Sequence, residues 1–217
     1  VLGDNNGFKD YDNSGASPDE SKESEMIEST EKLRYVLLEA TRDGLLEDMN
    51  DGLFRFSHTR IREGAYSLVP GGIVRQEIHL RIGRQLRLLR EEKPDKSGRL
   101  HHLIFQTVRQ MNLGTKLITS EAEMIDLAEF NYQAAELAVQ RSSFFPASDF
   151  LRASLDLLGE SPWVGHYDLC LKVSIAQMRI EYCCGRPVVS AYISDDILDH
   201  ARTFIERKAA YHTKLLW

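Results

Sequence analysis

The feature that most constrains the fold is a long series of amphipathic segments that begins near Ile73. In each segment apolar residues recur at three- and four-residue spacing, which is the period of a helix that buries one face. Short stretches rich in Gly, Pro and Ser separate the segments. The pattern predicts helices over 73–92, 99–112, 120–141, 146–158, 163–184 and 188–206. Consecutive helices with short connections favour an α-solenoid, in which each helix pair stacks on its neighbours.

A different pattern precedes this series. Apolar residues at helical spacing follow Ser29, and the turn signal Asn50-Asp51-Gly52 separates two short segments, 45–49 and 53–56, that can pair as a hairpin. Ser57 can cap a further helix, His58–Val69, which Pro70 ends. The order helix, hairpin, helix suggests the C-terminal half of a winged-helix domain.

The first residues have the composition of a disordered segment. Residues 1–31 contain nine acidic residues against two lysines, so the net charge of −6 is concentrated there. With almost no aliphatic residues, such a segment cannot bury enough apolar surface to fold. The predicted fold is therefore all-α with one short β-hairpin, divided into a disordered acidic tail (1–28), a winged-helix-like segment (29–70) and a TPR-like α-helical repeat segment (71–217).

Composition excludes several functional classes. With 42% hydrophobic and 28% charged residues the chain resembles a globular protein, and no apolar stretch approaches the roughly 18 residues of a membrane span. Three clustered cysteines are too few for a disulfide framework, which favours a reducing, cytoplasmic location. Because the chain starts at Val1 and ends on Trp217, we expect a fragment of a longer protein.

No motif for catalysis or for a bound cofactor is present in the sequence. There is no phosphate-binding loop and no nucleophile elbow. The adjacent His101 and His102 point about 100° apart on a helix and rarely share a metal, and Cys183-Cys184 lacks the C-x-x-C spacing of zinc and redox sites. We therefore expect no enzyme activity, cofactor or metal in this segment.

A family resemblance rests on four blocks: Gly44-Leu45-Leu46, Phe54–His58, Arg60–Pro70 and His79–Arg84. Together they resemble the junction between winged helix and helical repeats in large AAA/STAND-type predicted ATPases, which are typically fused to kinase, GAF, histidine kinase or nucleotide cyclase modules. The resemblance covers about residues 33–206. It implies that ATP and magnesium bind in an upstream domain of the parent protein, and that this segment is a non-catalytic regulatory one.

The resemblance also implies sites of interaction. Phe56, His58, Arg60 and Arg62 form a possible regulatory contact that reports the nucleotide state of the neighbouring domain. The local alternative is that His58 only satisfies backbone groups at the helix start. Expected partners are other proteins or the adjacent ATPase and kinase or cyclase domains, bound on a concave surface that includes the 120–141 and 163–184 helices.

The alternative function is nucleic-acid binding through the basic region 75–116. This region contains ten Lys and Arg residues and only four acidic ones, and a basic face attracts the phosphate backbone. Under this hypothesis the phosphate contacts are Arg81, Arg84, Arg87 and Arg90. The simpler interpretation is that these arginines line a solvated helix face or dock the acidic tail.

Overall fold

The computed structural model of the chain describes residues 18–49, 54–92 and 101–215. Within these ranges the chain forms ten α-helices, one 3-10 turn and one two-stranded hairpin. The predicted all-α class with one short β-hairpin is therefore confirmed. The chain divides into two compact units, residues 1–69 and 70–217. The descriptions of these units as winged-helix-like and TPR-like stay predictions.

The first unit contains α1 (Pro18–Arg42), the strands β1 (Leu46–Asp48) and β2 (Phe54–Phe56), and α2 (Thr59–Ser67). The strands are antiparallel, with Leu46 opposite Phe56. Gly44 adopts a φ of +74° in the turn between α1 and β1, a conformation that glycine tolerates best. The Ser57 hydroxyl donates a hydrogen bond of 2.6 Å to the Gly44 carbonyl and so ties the end of the hairpin to that turn.

Helix α1 begins earlier than the sequence predicted. It starts at Pro18, so 18–28 is helical within the segment predicted to be disordered, and residues 1–17 lie outside the described residues. Low apolar content motivated the prediction, but Glu, Lys and Met are good helix formers and proline fits a first helical turn. Lys32 also pairs with Glu28 one turn earlier, at 2.6 Å, a spacing that supports a helix.

The second unit is built from helix hairpins. α3 (Ile73–Glu92) packs on α4 (His101–Leu113), α5 (Glu121–Gln140) on α6 (Phe144–Leu157), and α8 (Tyr167–Cys183) on α9 (Pro187–His200). A 3-10 turn (Thr115–Leu117) follows α4, the short α7 (Pro162–Gly165) precedes α8, and α10 (Phe204–Lys214) follows α9. Because α4 also packs on α5 and α6 on α8, each pair contacts the next pair along the chain.

Two glycines allow the first of these hairpins to pack closely. A Cβ on Gly83 of α3 would overlap the Met111 Cγ of α4, and a Cβ on Gly114 would lie 2.7 Å from the Gln76 carbonyl oxygen. Met111 is fully buried at this contact. Gly83 is therefore a packing residue, and the face of α3 that carries it is the face in contact with α4.

Apolar spacing predicts an inner face of α3 formed by Ile78, Ile82, Leu86 and Leu89, and half of this prediction is wrong. Ile78 and Leu86 are partly buried, but Ile82 and Leu89 are 42% and 46% exposed, whereas Leu80 is 4% exposed. The buried face of α3 is the one that carries Gly83 and contacts α4. Arg87 and Arg90, expected to face solvent, are partly buried instead.

The last predicted helix is in fact two. The segment 188–206 was expected to be continuous, but α9 ends at His200 and Ala201 is extended, with φ −62° and ψ 129°. Thr203 then caps α10 in a reciprocal arrangement with Glu206, in which each side chain bonds the other residue's backbone N–H. This capping box starts a new helix at the point where apolar spacing alone predicted continuity.

Candidate functional site

An open groove of about 440 Å³ lies between α5, α6 and α8. Its rims carry exposed polar side chains, Glu136 and Gln140 from α5, and Arg179 and Cys183 from α8. The remaining lining is mainly apolar and consists of Tyr132, Ala135, Val139, Phe144, Leu151, Ala176 and Ile180. A cavity of this size with an apolar lining and a few polar groups has the character of a binding site.

The lining follows from helical periodicity on two neighbouring helices. Tyr132, Glu136 and Val139 recur at three- and four-residue spacing and so form one stripe of α5. Ala176, Arg179 and Cys183 form the corresponding stripe of α8. The small side chain of Ala176 leaves space that a larger residue would fill. The groove therefore lies between the two helices that the sequence named for the concave surface, and its binding of protein stays a prediction.

A polar cluster surrounds Tyr132, which lines the α5 side of the groove. The Lys172 ammonium lies 3.6 Å from a Glu129 carboxylate oxygen and 4.2 Å from the centroid of the Tyr132 ring. The Tyr132 hydroxyl donates a hydrogen bond of 2.7 Å to Glu136. Burial raises the pKa of Tyr132 well above its ordinary value, and the bond to Glu136 raises it further. The phenol therefore stays protonated at neutral pH and holds the Glu136 carboxylate in place.

A buried carboxylate next to Ile180 fixes α8 to its neighbours. Glu181 is fully buried and accepts hydrogen bonds from Ser148 of α6 at 2.7 Å and from Arg186, in the turn before α9, at 2.8 Å. Burial acts to raise the pKa of Glu181, but the bonds from Ser148 and Arg186 outweigh it, so the pKa lies below its ordinary value. The ionised carboxylate thus joins three helices beside the groove.

The three thiols differ in exposure. Cys183 is exposed at the groove rim, Cys184 is partly buried and Cys170 is buried. Burial raises the pKa of Cys170 to about 11 and also raises the pKa of Cys184. Because the thiolate is the reactive form, Cys170 and Cys184 are expected to react slowly, and Cys183 is a natural chemical probe of the groove.

The predicted regulatory contact lies at the start of α2. The Nδ1 atom of His58 accepts a hydrogen bond of 3.1 Å from the backbone N–H of Arg60, so His58 is the N-cap of this helix. Phe56 is 40% exposed, and the side chains of Arg60 and Arg62 are exposed. The geometry agrees with the local interpretation, in which His58 satisfies the helix end. A regulatory contact at these four residues stays a prediction.

The predicted phosphate contacts lie on α3, and three of the four contact α5. Arg84 forms two hydrogen bonds of 2.7 Å with the Glu123 carboxylate, and Arg87 bonds Asp126 at 2.8 Å. Arg90 lies 5.1 Å from the Phe130 ring centroid. Arg81 is exposed and lines a second depression, formed by α3 and Leu117. The pairing of Arg84 and Arg87 explains these side chains as contacts between α3 and α5, and phosphate binding stays a prediction.

Within the described ranges no three His, Cys, Asp or Glu side chains come together in a way that would hold a metal ion. His79 is buried, with its Nδ1 2.6 Å from the Gln110 side-chain oxygen. The side chains of His101 and His102 lie outside the described residues. The expectations of no metal, no cofactor and no enzyme activity in this segment stay predictions.

Comparisons with known proteins gave one distant similarity. The chain is 25% identical over 167 residues to hybrid signal transduction histidine kinase G of Dictyostelium discoideum, an alignment that covers 69% of this chain and 5% of the relative. The chain thus spans a small part of that relative's length. No described protein family and no solved structure matches the chain. The resemblance to AAA/STAND-type ATPases stays a prediction.

Among the helices in the described part of the chain, none combines the length and the apolar character needed to cross a membrane.

Proposed function

We propose that this chain is a non-catalytic regulatory and protein-interaction segment of a multidomain AAA/STAND-type signalling ATPase, and that it couples nucleotide state to a signalling output. The observation that carries the proposal is the groove between α5, α6 and α8, which combines an apolar lining with charged rims. Exposed apolar surface of this kind typically marks a site where another molecule docks. The distant similarity to a signalling histidine kinase supports the signalling context.

In this proposal the segment binds a partner and transmits the nucleotide state to it, whereas catalysis takes place in other domains of the parent protein. ATP and magnesium bind in the upstream domain of the parent protein, which is cytoplasmic. The groove receives a protein partner or an adjacent kinase or cyclase domain. The buried Glu181 network stabilises the α6–α8–α9 arrangement, so that binding acts on a rigid surface.

The test uses the parent protein, with a groove variant and a matched surface variant. Val139→Asp places a carboxylate in the apolar lining, whereas Val188→Asp changes a side chain of α9 that is 78% exposed and does not line the groove. We expect Val139→Asp to abolish the dependence of the signalling output on ATP while the KM for ATP is unchanged. Val188→Asp should retain both. If the two variants behave alike, the groove does not carry the function.

The alternative, nucleic-acid binding, gains no support from the geometry, because Arg84 and Arg87 are already paired with carboxylates of α5. It makes a clear prediction nonetheless. Affinity for DNA or RNA would be measurable at low ionic strength and would fall steeply as salt is added. A fluorescence titration without binding at low salt eliminates this function.

A further inference from the structure

The two rims of the groove carry opposite charges. α5 carries Glu129 and Glu136 on one side, and α8 carries Lys172 and Arg179 on the other; of these four, Glu136 and Arg179 line the groove. On each helix the two residues lie two turns apart, about 10.5 Å along the axis. All four side chains are exposed. The groove therefore has one acidic residue on its α5 side and one basic residue on its α8 side.

The two levels of this arrangement differ. At the first level Lys172 of α8 and Glu129 of α5 pair with each other at 3.6 Å. At the second level Glu136 and Arg179 both line the open groove. Neither of them forms an ion pair with any residue of the described ranges, and Glu136 has only the Tyr132 hydroxyl as a partner. Two opposite charges thus stand on either side of an apolar groove, available to an occupant.

We infer that the groove binds an amphipathic helix of a separate partner protein, with a basic residue on the edge that faces Glu136 and an acidic residue on the edge that faces Arg179. The inference rests on the proposed function of the groove in protein binding. The arrangement of an apolar lining between one acidic and one basic side chain favours a helix, because an amphipathic helix presents an apolar stripe with a polar residue on each edge. An extended chain directs alternate side chains to opposite faces and offers no such pair of edges.

The consequence of this charge pattern is a fixed direction of binding. Turning the bound helix end for end exchanges its two edges, so that like charges then meet at both rims. Exposed ion pairs contribute little to affinity, whereas like charges placed together are a strong source of discrimination. The apolar lining therefore supplies most of the affinity, and Glu136 and Arg179 select the orientation.

The experiment uses Cys183, at the Gln140 end of the groove, as a reporter of direction, in a Cys184→Ser background. The probe is a synthetic helical peptide with a leucine stripe, lysines on one edge and glutamates on the other. It carries a thiopyridyl-activated cysteine at either its N- or its C-terminus. We expect one terminus to form the mixed disulfide with Cys183 about fivefold faster than the other, the size of effect that exposed charge pairs produce. A second peptide with exchanged edges should show the opposite preference.

The control is the double variant Glu136→Lys with Arg179→Glu, which should reverse both preferences while its far-UV circular dichroism and urea transition match those of the parent chain. If both peptides bind but react equally from either terminus, the charges do not orient the partner and the inference is overturned, while the protein-binding groove stands. If no peptide binds and Val139→Asp dissociates a dimer of this chain, the occupant is a second copy and the inference also fails. If no peptide binds and Val139→Asp leaves the parent protein's output unchanged, the proposed function fails with it.

Discussion

Removing either partner of the Glu181–Arg186 ion pair should destabilise the chain by different amounts, because the two side chains differ in exposure. The Glu181 side chain is 0% exposed, whereas that of Arg186 is 35% exposed. Arg186→Gln leaves a buried carboxylate without its close cation, which costs about 3–5 kcal/mol of unfolding free energy. Glu181→Gln leaves a neutral amide that still accepts from Ser148, and the freed Arg186 regains water. That loss is about 1.5–3 kcal/mol.

Urea denaturation followed by far-UV circular dichroism at neutral pH measures both values by linear extrapolation. The matched control is Arg152→Gln. Arg152 also contacts Glu181, but at 3.4 Å and with its side chain 53% exposed, so its loss should cost no more than about 1 kcal/mol. The reasoning is refuted if Glu181→Gln destabilises the chain as much as Arg186→Gln does.

The same pair makes a prediction for pH. Burial acts to raise the pKa of Glu181, but the bonds from Ser148 and Arg186 outweigh it, so the folded pKa lies below the ordinary value of 4.5. A carboxyl with a lowered folded pKa contributes stability that is complete above its unfolded pKa and is lost as pH falls through the folded value. The difference in unfolding free energy between the parent chain and Glu181→Gln should therefore be constant down to about pH 5.5 and shrink below about pH 4.5. A difference that grows with acidification contradicts the assignment of an ionised, buried carboxylate.

Three further predictions concern other parts of the chain. Gly83→Ala should destabilise it by about 1–3 kcal/mol in the same urea assay, because the new Cβ would overlap Met111. Gly64→Ala is the control: its Cβ enters open space and should stabilise the chain by about 0.5–1 kcal/mol. Equal effects would contradict the close packing of α3 on α4. Arg84→Ala should cost about 1 kcal/mol or less at low salt, and the loss should shrink as salt is added, because its ion pair with α5 is partly exposed. In peptide-resolved maleimide labelling of the folded chain, Cys183 should react well before Cys170, whose pKa of about 11 leaves almost no thiolate at neutral pH; similar rates would show that the groove rim is covered.

Apolar periodicity predicted the helical class and the main helices of the second unit, because burial of one face is a local property of the sequence. It failed between α9 and α10, where Ile197, Phe204 and Ile205 continue the apolar pattern across a break. The signal that marks the break was present as Thr203 followed three residues later by Glu206. A capping box marks the residue at which a helix starts, whereas apolar spacing indicates only which face of a helix is buried. Helix boundaries therefore have to be predicted from both signals.

The contact face of α3 could not be predicted in the same way. Hydrophobicity assigned its arginines to solvent, but the glycine at position 83 sets the face that approaches α4, and Arg84 reaches a carboxylate 39 positions later in the chain. Nothing local to α3 specifies that partner. The basic region therefore resembled a phosphate-binding face in the sequence, and only the placement of α5 shows which of its charges already have a partner.

The acidic residues of α5 connect this contact to the candidate site. Glu123 and Asp126, near its start, pair with arginines of α3, and Glu129 in its middle pairs with Lys172 of α8. Further along α5, Glu136 is held by the Tyr132 hydroxyl and has no cation within the described part of the chain. The first three carboxylates thus join helices of this unit, whereas Glu136 faces the groove together with Arg179. Along α5, the acidic residues that join neighbouring helices are therefore followed by Glu136, whose charge is available to a partner.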